Sequence, residues 1–373
     1  MKNLFVILFG IVFLLSFKEP INKPENPSKT EKTIRVALLL DTSNSMDGLI
    51  NQAKSQLWKI VNELSYAKCE HETPNLEIAL YEYGNDNIEA SDNYIRQIVP
   101  FNSDLDEISK QLFALRTNGG NEYCGTVIST SLQDLKWGKN KKDLNLIFIA
   151  GNEPFTQGRI NYKDAITDAK EKNITVNTIF CGDYENGIRA KWYDAAVLGN
   201  GEYLNINPNK EIIHVITPYD KEIIILNERL NKTYIYFGTS GQKYYQNQQI
   251  QDNNAMELEE AVIVNRAVSK SNKIYNNSSW DLVDATKNGN ISLEKIKRKN
   301  LPKNLQNKTI KELKEYVTKQ KTAREKIQKE IQQLNEKRRK YIATNQTKEN
   351  MDALESVMLK AIKKQATKKG YSW

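Results

Sequence analysis

Between Thr33 and Ile206 the chain alternates short apolar runs with segments whose apolar residues recur at helical spacing. The run Thr33-Ile-Arg-Val-Ala-Leu-Leu-Leu40 predicts a buried strand, and Leu49 to Ala67, apolar at Ile50, Ala53, Leu57, Ile60, Val61 and Leu64, predicts an amphipathic helix. Leu76 to Tyr83 reads as a second strand, and Tyr94 to Phe101 as a short one beside polar turns, which suits an antiparallel edge. A helix is expected over Asp104 to Leu115, with Asp104 early in the first turn where negative charge is favourable. Another follows the Thr117-Asn-Gly-Gly120 loop, from about Thr126 to Trp137. Leu144 to Ala150 is apolar at nearly every position, the pattern of a central parallel strand buried on both faces. Helix Ile160 to Lys172, strand Ile174 to Cys181, helix Ile188 to Leu198 and strand Glu202 to Ile206 complete the series. Such alternation predicts an α/β fold: a doubly wound, mostly parallel sheet with helices on both faces.

After Pro218 the strands stop and the chain becomes helical and polar. Asp220 to Asn231 and Asn254 to Ser269 read as helices, separated by a Tyr-, Gly- and Gln-containing stretch from Tyr234 to Gln251 that suits packing or a binding platform. Trp280 marks a short anchoring piece. In Ile310 to Ile342 two seven-residue series run together, Ile310, Val317, Arg324, Ile331, Arg338 and Leu313, Gln320, Ile327, Leu334, Tyr341. This heptad pattern predicts a coiled coil, with self-association through residues 310–342, or a long helix folded back on a Met351 to Ala366 helix. The expected organisation is a leader at 1–20, a polar linker at 21–32, the α/β domain at 33–218, a helical extension at 219–300 and a basic coiled coil or helical hairpin at 301–373.

The leader is expected because Lys2 precedes the apolar run Leu4 to Phe17 and a polar, Pro-containing exit. That is a signal peptide, cleaved or kept as an anchor, rather than a full membrane span of about 20 apolar residues. Export to the periplasm or cell envelope follows. Net charge is +8, yet Ile291 to Trp373 holds 23 Lys and Arg against nine Asp and Glu, so the rest of the chain is acidic. Basicity confined to one end of an exported chain points to anionic envelope polymers or lipid headgroups, or to a merely solvated helix face, and not to nucleic acid. The three cysteines, Cys69, Cys124 and Cys181, cannot all pair; they read as buried small hydrophobes, with Cys124 and Cys181 able to approach at one end of the sheet.

The candidate chemistry lies at Asp41-Thr-Ser43-Asn-Ser45, directly after the first strand. Alternate residues of an extended segment face one side, so Asp41, Ser43 and Ser45 present three hard oxygens while Thr42 and Asn44 face away. Such ligands suit Mg²⁺ or Mn²⁺. The competing role is helix capping, which Ser and Asp also perform; Asp47 reads as a cap. No phosphate-cradling loop or nucleophile elbow occurs, and only His71 and His214 are present, so no catalytic residue is assigned and an enzyme is not expected.

The Asp-x-Ser-x-Ser motif after an apolar strand resembles the metal-ion-dependent adhesion site of the von Willebrand factor type A (vWA) family. The resemblance covers roughly Thr33 to Pro218 and implies a vWA/Rossmann-like sheet whose bound ion engages a protein partner through an acidic side chain. It also implies a Thr from a Gly-Gly-Thr loop and an Asp from a Thr-Asp-Gly turn, and here the chain departs. The second loop reads Gly119-Gly-Asn-Glu-Tyr-Cys-Gly-Thr126, which places Glu122 or Asn121 at the Thr position; the third reads Gly151-Asn-Glu-Pro154, with Gly151 in place of the Asp and Asn152 or Glu153 as substitutes. The expected metal set is Asp41, Ser43, Ser45, Glu122 and Glu153.

Overall fold

The computed structural model describes residues 32–207, 214–287, 289, 291–345 and 354–373. The expected leader and nearly all of the polar linker lie outside the described residues. The most apolar strands occupy the middle of the sheet. β1 (Thr33–Asp41) leads into α1 (Asp47–Ser65); a two-residue β2 (Lys68–Cys69) precedes β3 (Asn75–Tyr83) and β4 (Ile95–Asn102). Then come α2 (Leu105–Ala114), α3 (Cys124–Asp134), β5 (Leu144–Gly151), α4 (Tyr162–Glu171) and β6 (Thr175–Cys181), followed by α5 (Tyr184–Arg189), α6 (Trp192–Leu198) and β7 (Asn200–Ile206). The sheet runs β4-β3-β1-β5-β6-β7, with only β4 antiparallel, as its short polar-flanked run foretold.

Side-chain parity divides the core. Ile34, Val36 and Leu40 of β1 join a cluster with α1 and α2, whereas Ala37 and Leu39 join one with α3, α4 and α6. Both faces are therefore covered, which is why β5 could be read from a run apolar at every position from Leu144 to Ala150 except Asn145. The expected single helix over Ile188 to Leu198 is two: Lys191 takes a left-handed conformation (φ 72°) and separates α5 from α6.

Among the described residues the extension holds the α-helices α7 (Asp220–Asn231), α8 (Gly241–Leu258), α9 (Glu260–Lys270), α10 (Leu282–Lys287), α11 (Lys303–Gln306), α12 (Ile310–Asn345) and α13 (Leu354–Thr367). The helix expected from Asn254 actually divides at Glu259, and most of the Tyr234 to Gln251 stretch belongs to α8. Sequence periodicity missed α8 because its buried positions include Gln248, Gln251 and Asp252, so polar residues occupy the inward face. Trp280 is the anticipated anchor, buried and stacked on Tyr234 at 5.8 Å between ring centroids.

The heptad series does mark the buried face of α12, which includes Leu313, Val317, Arg324, Ile327, Ile331 and Arg338. Its partners are α7, α9 and α10 of the same chain. The two arginines interrupting the apolar series are anchors. Arg324 donates to Asp281 (2.6 Å), Asp284 (2.8 Å) and the Thr233 carbonyl (2.8 Å), and lies over the Tyr234 ring. Arg338 donates to Asp220 (2.9 Å) and Asn265 (3.1 Å). Nearer the sheet, Arg266 of α9 is wholly buried, donating to Asp106 of α2 (2.7 Å), Asp252 of α8 (2.6 Å) and the Gln248 carbonyl (2.9 Å). α13 packs on α1 and β7, and the terminal β8 (Tyr371–Ser372) pairs with β2.

A buried ion pair stripped of one partner leaves a charge without solvent, at a cost of about 3–5 kcal/mol. Arg324→Ala is therefore expected to lower unfolding stability by that order in urea titrations of the full chain. Arg324→Met combined with Asp281→Asn should recover part of the loss.

Candidate metal centre

β1 is paired along its length with β3 and β5, in register Asp41 with Tyr83 and Leu40 with Ala150, so its last residue ends in the interior. Asp41 is 0% exposed. Its Oδ1 accepts the Ser43 amide at 2.7 Å, while Oδ2 is buried without a hydrogen-bond partner. The Ser43 and Ser45 hydroxyls lie 3.3 Å apart, and Asn152 of the third loop donates to Ser45 at 3.0 Å. Thr42 is buried, within hydrogen-bonding distance of Glu82 (3.3 Å) and Asn85 (3.1 Å), whereas Asn44 and Ser45 are both exposed, because the extended backbone ends at Ser43 and a 3-10 turn follows.

Capping does not account for these groups. Ser43 precedes a short 3-10 turn (Asn44–Met46) and makes no side-chain cap bond, and neither does Met46 ahead of α1. Asp47, expected as a cap, is the first residue of α1 and accepts the Thr117 hydroxyl, tying the first loop to the second. Glu122 likewise leaves α3 uncapped.

Of the two candidates in the second loop, Asn121 is exposed and Glu122 is 8% exposed. A Cβ placed on Gly84 would stand 2.8 Å from Glu122 Cγ and 3.0 Å from Asp41 Oδ1, so the two carboxylate side chains flank that glycine. Gly84 has φ +77° and cannot readily be replaced. Gly120 approaches so closely that a Cβ there would lie 2.6 Å from the Gly84 carbonyl oxygen, which explains a glycine in this loop. Glu153 stays at the rim, half-buried and within reach of Gln157.

Gly84 and Asn85 escaped the sequence reading. Asn85 is buried and donates to Thr42 Oγ1 and, at 2.9 Å, to the Arg116 carbonyl, holding the first and second loops together. A Gly-Asn pair ending a strand was a turn signal, but nothing in the sequence said which loops it would join.

Burial pushes the Asp41 carboxyl up to about 7; the Ser43 amide and hydroxyl pull it down, and the Glu122 and Glu153 charges add to the rise. Glu122 is also pushed to about 7, chiefly by burial, with Glu153 and Asp86 contributing. Among the described residues no lysine or arginine forms an ion pair with either. No three His, Cys, Asp or Glu side chains among the described residues are grouped to hold a metal; the donors here are two carboxylates supplemented by hydroxyls. An unpartnered buried carboxylate oxygen and hard neutral oxygens fit a small divalent ion. Cys69, Cys124 and Cys181 are free and buried, and burial raises the Cys124 and Cys181 thiols, as suits inert packing groups.

Residues 36–188 match the sequence model of the von Willebrand factor type A domain. No curated protein matches the chain. Similar solved structures include the conserved hypothetical protein BatB from Bacteroides thetaiotaomicron, at 17% identity, TM-score 0.35, covering 46% of this chain and 90% of that one. The SpRpn10 VWA domain is 17% identical, TM-score 0.36, over 48% and 90%. An aerotolerance-related membrane protein from Bacteroides fragilis NCTC 9343 is 18% identical, TM-score 0.31, over 47% and 93%.

An acid whose pKa is raised by folding binds more protons folded than unfolded, so it removes stability as pH climbs from its unfolded to its folded value. For Asp41, from 3.8 to about 7, the loss is roughly 4 kcal/mol at most. In excess chelator the melting temperature should fall between pH 4 and 7, and Asp41→Asn should flatten that fall. Saturating Mn²⁺, which favours the ionised carboxylates, should oppose it; unchanged profiles would contradict this electrostatic picture.

Proposed function

From a chain that carries a von Willebrand factor type A domain at residues 36–188, we propose an exported, non-enzymatic protein-binding module that works through a variant metal-ion-dependent adhesion site. The observation that carries this reading is the buried Asp41 carboxylate at the loop end of the sheet, its Oδ2 unpartnered and its Oδ1 on the side of Glu122, with no lysine or arginine among the described residues paired to either. Asp41, Ser43, Ser45 and Glu122 would hold Mg²⁺ or Mn²⁺, and Glu153 would border or complete the set. When bound, the ion offers a positive centre to an acidic side chain of the partner. The chain's own residues fix the geometry: the Ser43 amide orients Asp41, Asn152 orients Ser45, and Asn85 keeps the loops together. Export rests on the basic and apolar pattern of the first 20 residues.

A second reading, an envelope scaffold, is favoured by one feature of the extension. Because the apolar side of α12 packs within the chain, Lys326, Lys329, Lys337 and Lys340 face solvent. That surface would suit an anionic polymer or lipid headgroup.

Calorimetric titration of the full chain with Mg²⁺ and Mn²⁺ distinguishes the two. The adhesion reading expects binding that Asp41→Ala abolishes, and capture of a partner that chelator prevents. A folded chain that binds neither ion would remove the metal mechanism. Capture indifferent to chelator but lost when those four lysines become glutamine would move the function to α12.

A further inference from the structure

Resting on the metal reading above, we infer that Tyr83 and Gly84 decide from which side a second buried carboxylate can reach Asp41: the Tyr83 hydroxyl closes the approach from residue 151 of the third loop, and Gly84 opens the approach that Glu122 of the second loop takes. The two halves of this inference come from opposite sides of Asp41.

On the β5 side, Gly151 follows Ala150, the register partner of Leu40, and so stands beside Asp41. A Cβ on Gly151 would meet Tyr83 Oη at 2.7 Å, Asp41 Oδ2 at 3.0 Å and Asp41 Cβ at 3.2 Å. The 2.7 Å contact is shorter than real Cβ atoms make unless something shifts, the other two are tight, and Tyr83 has little freedom: it is fully buried and its hydroxyl donates to the Ala150 carbonyl at 2.9 Å. The tyrosine ring comes from the neighbouring strand at the position paired with Asp41, so it enters this space by register rather than by accident of a loop. No carboxylate can project from residue 151 while Tyr83 keeps its place.

On the β3 side, room exists only because residue 84 is glycine. Glu122 Cγ and Asp41 Oδ1 both approach the point a Gly84 side chain would occupy. A glutamate one methylene longer than aspartate, carried on the second loop, thus reaches Asp41 across Gly84. The two buried carboxylates both lie on the β1 and second-loop side, and the third loop adds the neutral Asn152 contact to Ser45 and, at the rim, the charge of Glu153. Tyr83 and Gly84 act as positioning residues: the first closes one approach to Asp41 and the second opens the other.

Two measurements on the full chain test this. The first needs no metal: in excess chelator Gly151→Ala should lower the melting temperature, and adding Tyr83→Phe, which removes the obstructing hydroxyl, should restore most of the loss beyond the effect of Tyr83→Phe alone. Strictly additive effects would show that the hydroxyl is not the obstruction and overturn the steric half. The second is calorimetric titration with Mn²⁺. Glu122→Thr should weaken binding at least tenfold, and the triple variant Tyr83→Phe/Glu122→Thr/Gly151→Asp should regain it by bringing a carboxylate in through the approach that Tyr83 closes. Wild-type binding left unchanged by Glu122→Thr overturns the role given to Gly84 and Glu122 while leaving the metal reading intact. Failure of the wild type to bind Mn²⁺ removes both.

Discussion

The pairing of β1 with a parallel strand on each side is the constraint from which the loop end of this protein follows. A strand hydrogen-bonded on both edges and covered on both faces delivers its last residue into the interior, and here that residue is Asp41. A carboxylate in that position loses water, and it must then either take up a proton or be matched by a cation. The surrounding glycines and Tyr83 are adjustments to this placement, each deciding which group may approach the carboxylate and from which side.

A similar logic of buried charge joins the extension to the sheet, with the opposite solution. Arg266, Arg324 and Arg338 are buried, and each meets carboxylates within hydrogen-bonding distance. These charges are paired, whereas no lysine or arginine among the described residues forms an ion pair with Asp41 or Glu122. Arg266 connects α2, which leads toward the second loop, to α8 and α9, so the helices beyond Pro218 form part of the support on which the loops rest. Two neighbouring buried carboxylates with no lysine or arginine paired to them among the described residues set that place apart from the arginine anchors.

Much of this was legible from the sequence. The alternation of periods gave the order of strands and helices, and the antiparallel edge was visible in the brevity of Tyr94 to Phe101. Asp41, Ser43 and Ser45 were expected together from alternation along an extended segment; the two serine hydroxyls do lie side by side, but it is a 3-10 turn over Asn44–Met46 that brings Ser45 there. Glu122 could not be chosen over Asn121, since the choice depends on Gly84, nearly forty residues earlier, and on a contact across strands. α8 was obscured because glutamines and an aspartate face its interior, and the meaning of Arg324 and Arg338 as internal anchors needed the positions of Asp281 and Asp220. In each case the missing information was a partner distant in sequence.

The direction of β1 has a mechanical consequence. Thr33 begins the strand at the pole where the terminal β8 pairs with β2, and Asp41 ends it at the loop pole, about 30 Å away for nine extended residues. Tension between the N-terminal segment and anything gripped at the loops would therefore run along β1 and load its two ladders in shear. Sliding β1 out would require many backbone hydrogen bonds to β3 and β5 to fail together, rather than one after another as in peeling. A grip placed at the end of the doubly paired central strand, instead of on an edge strand such as β4 or β7, puts the load on the most resistant line through the sheet.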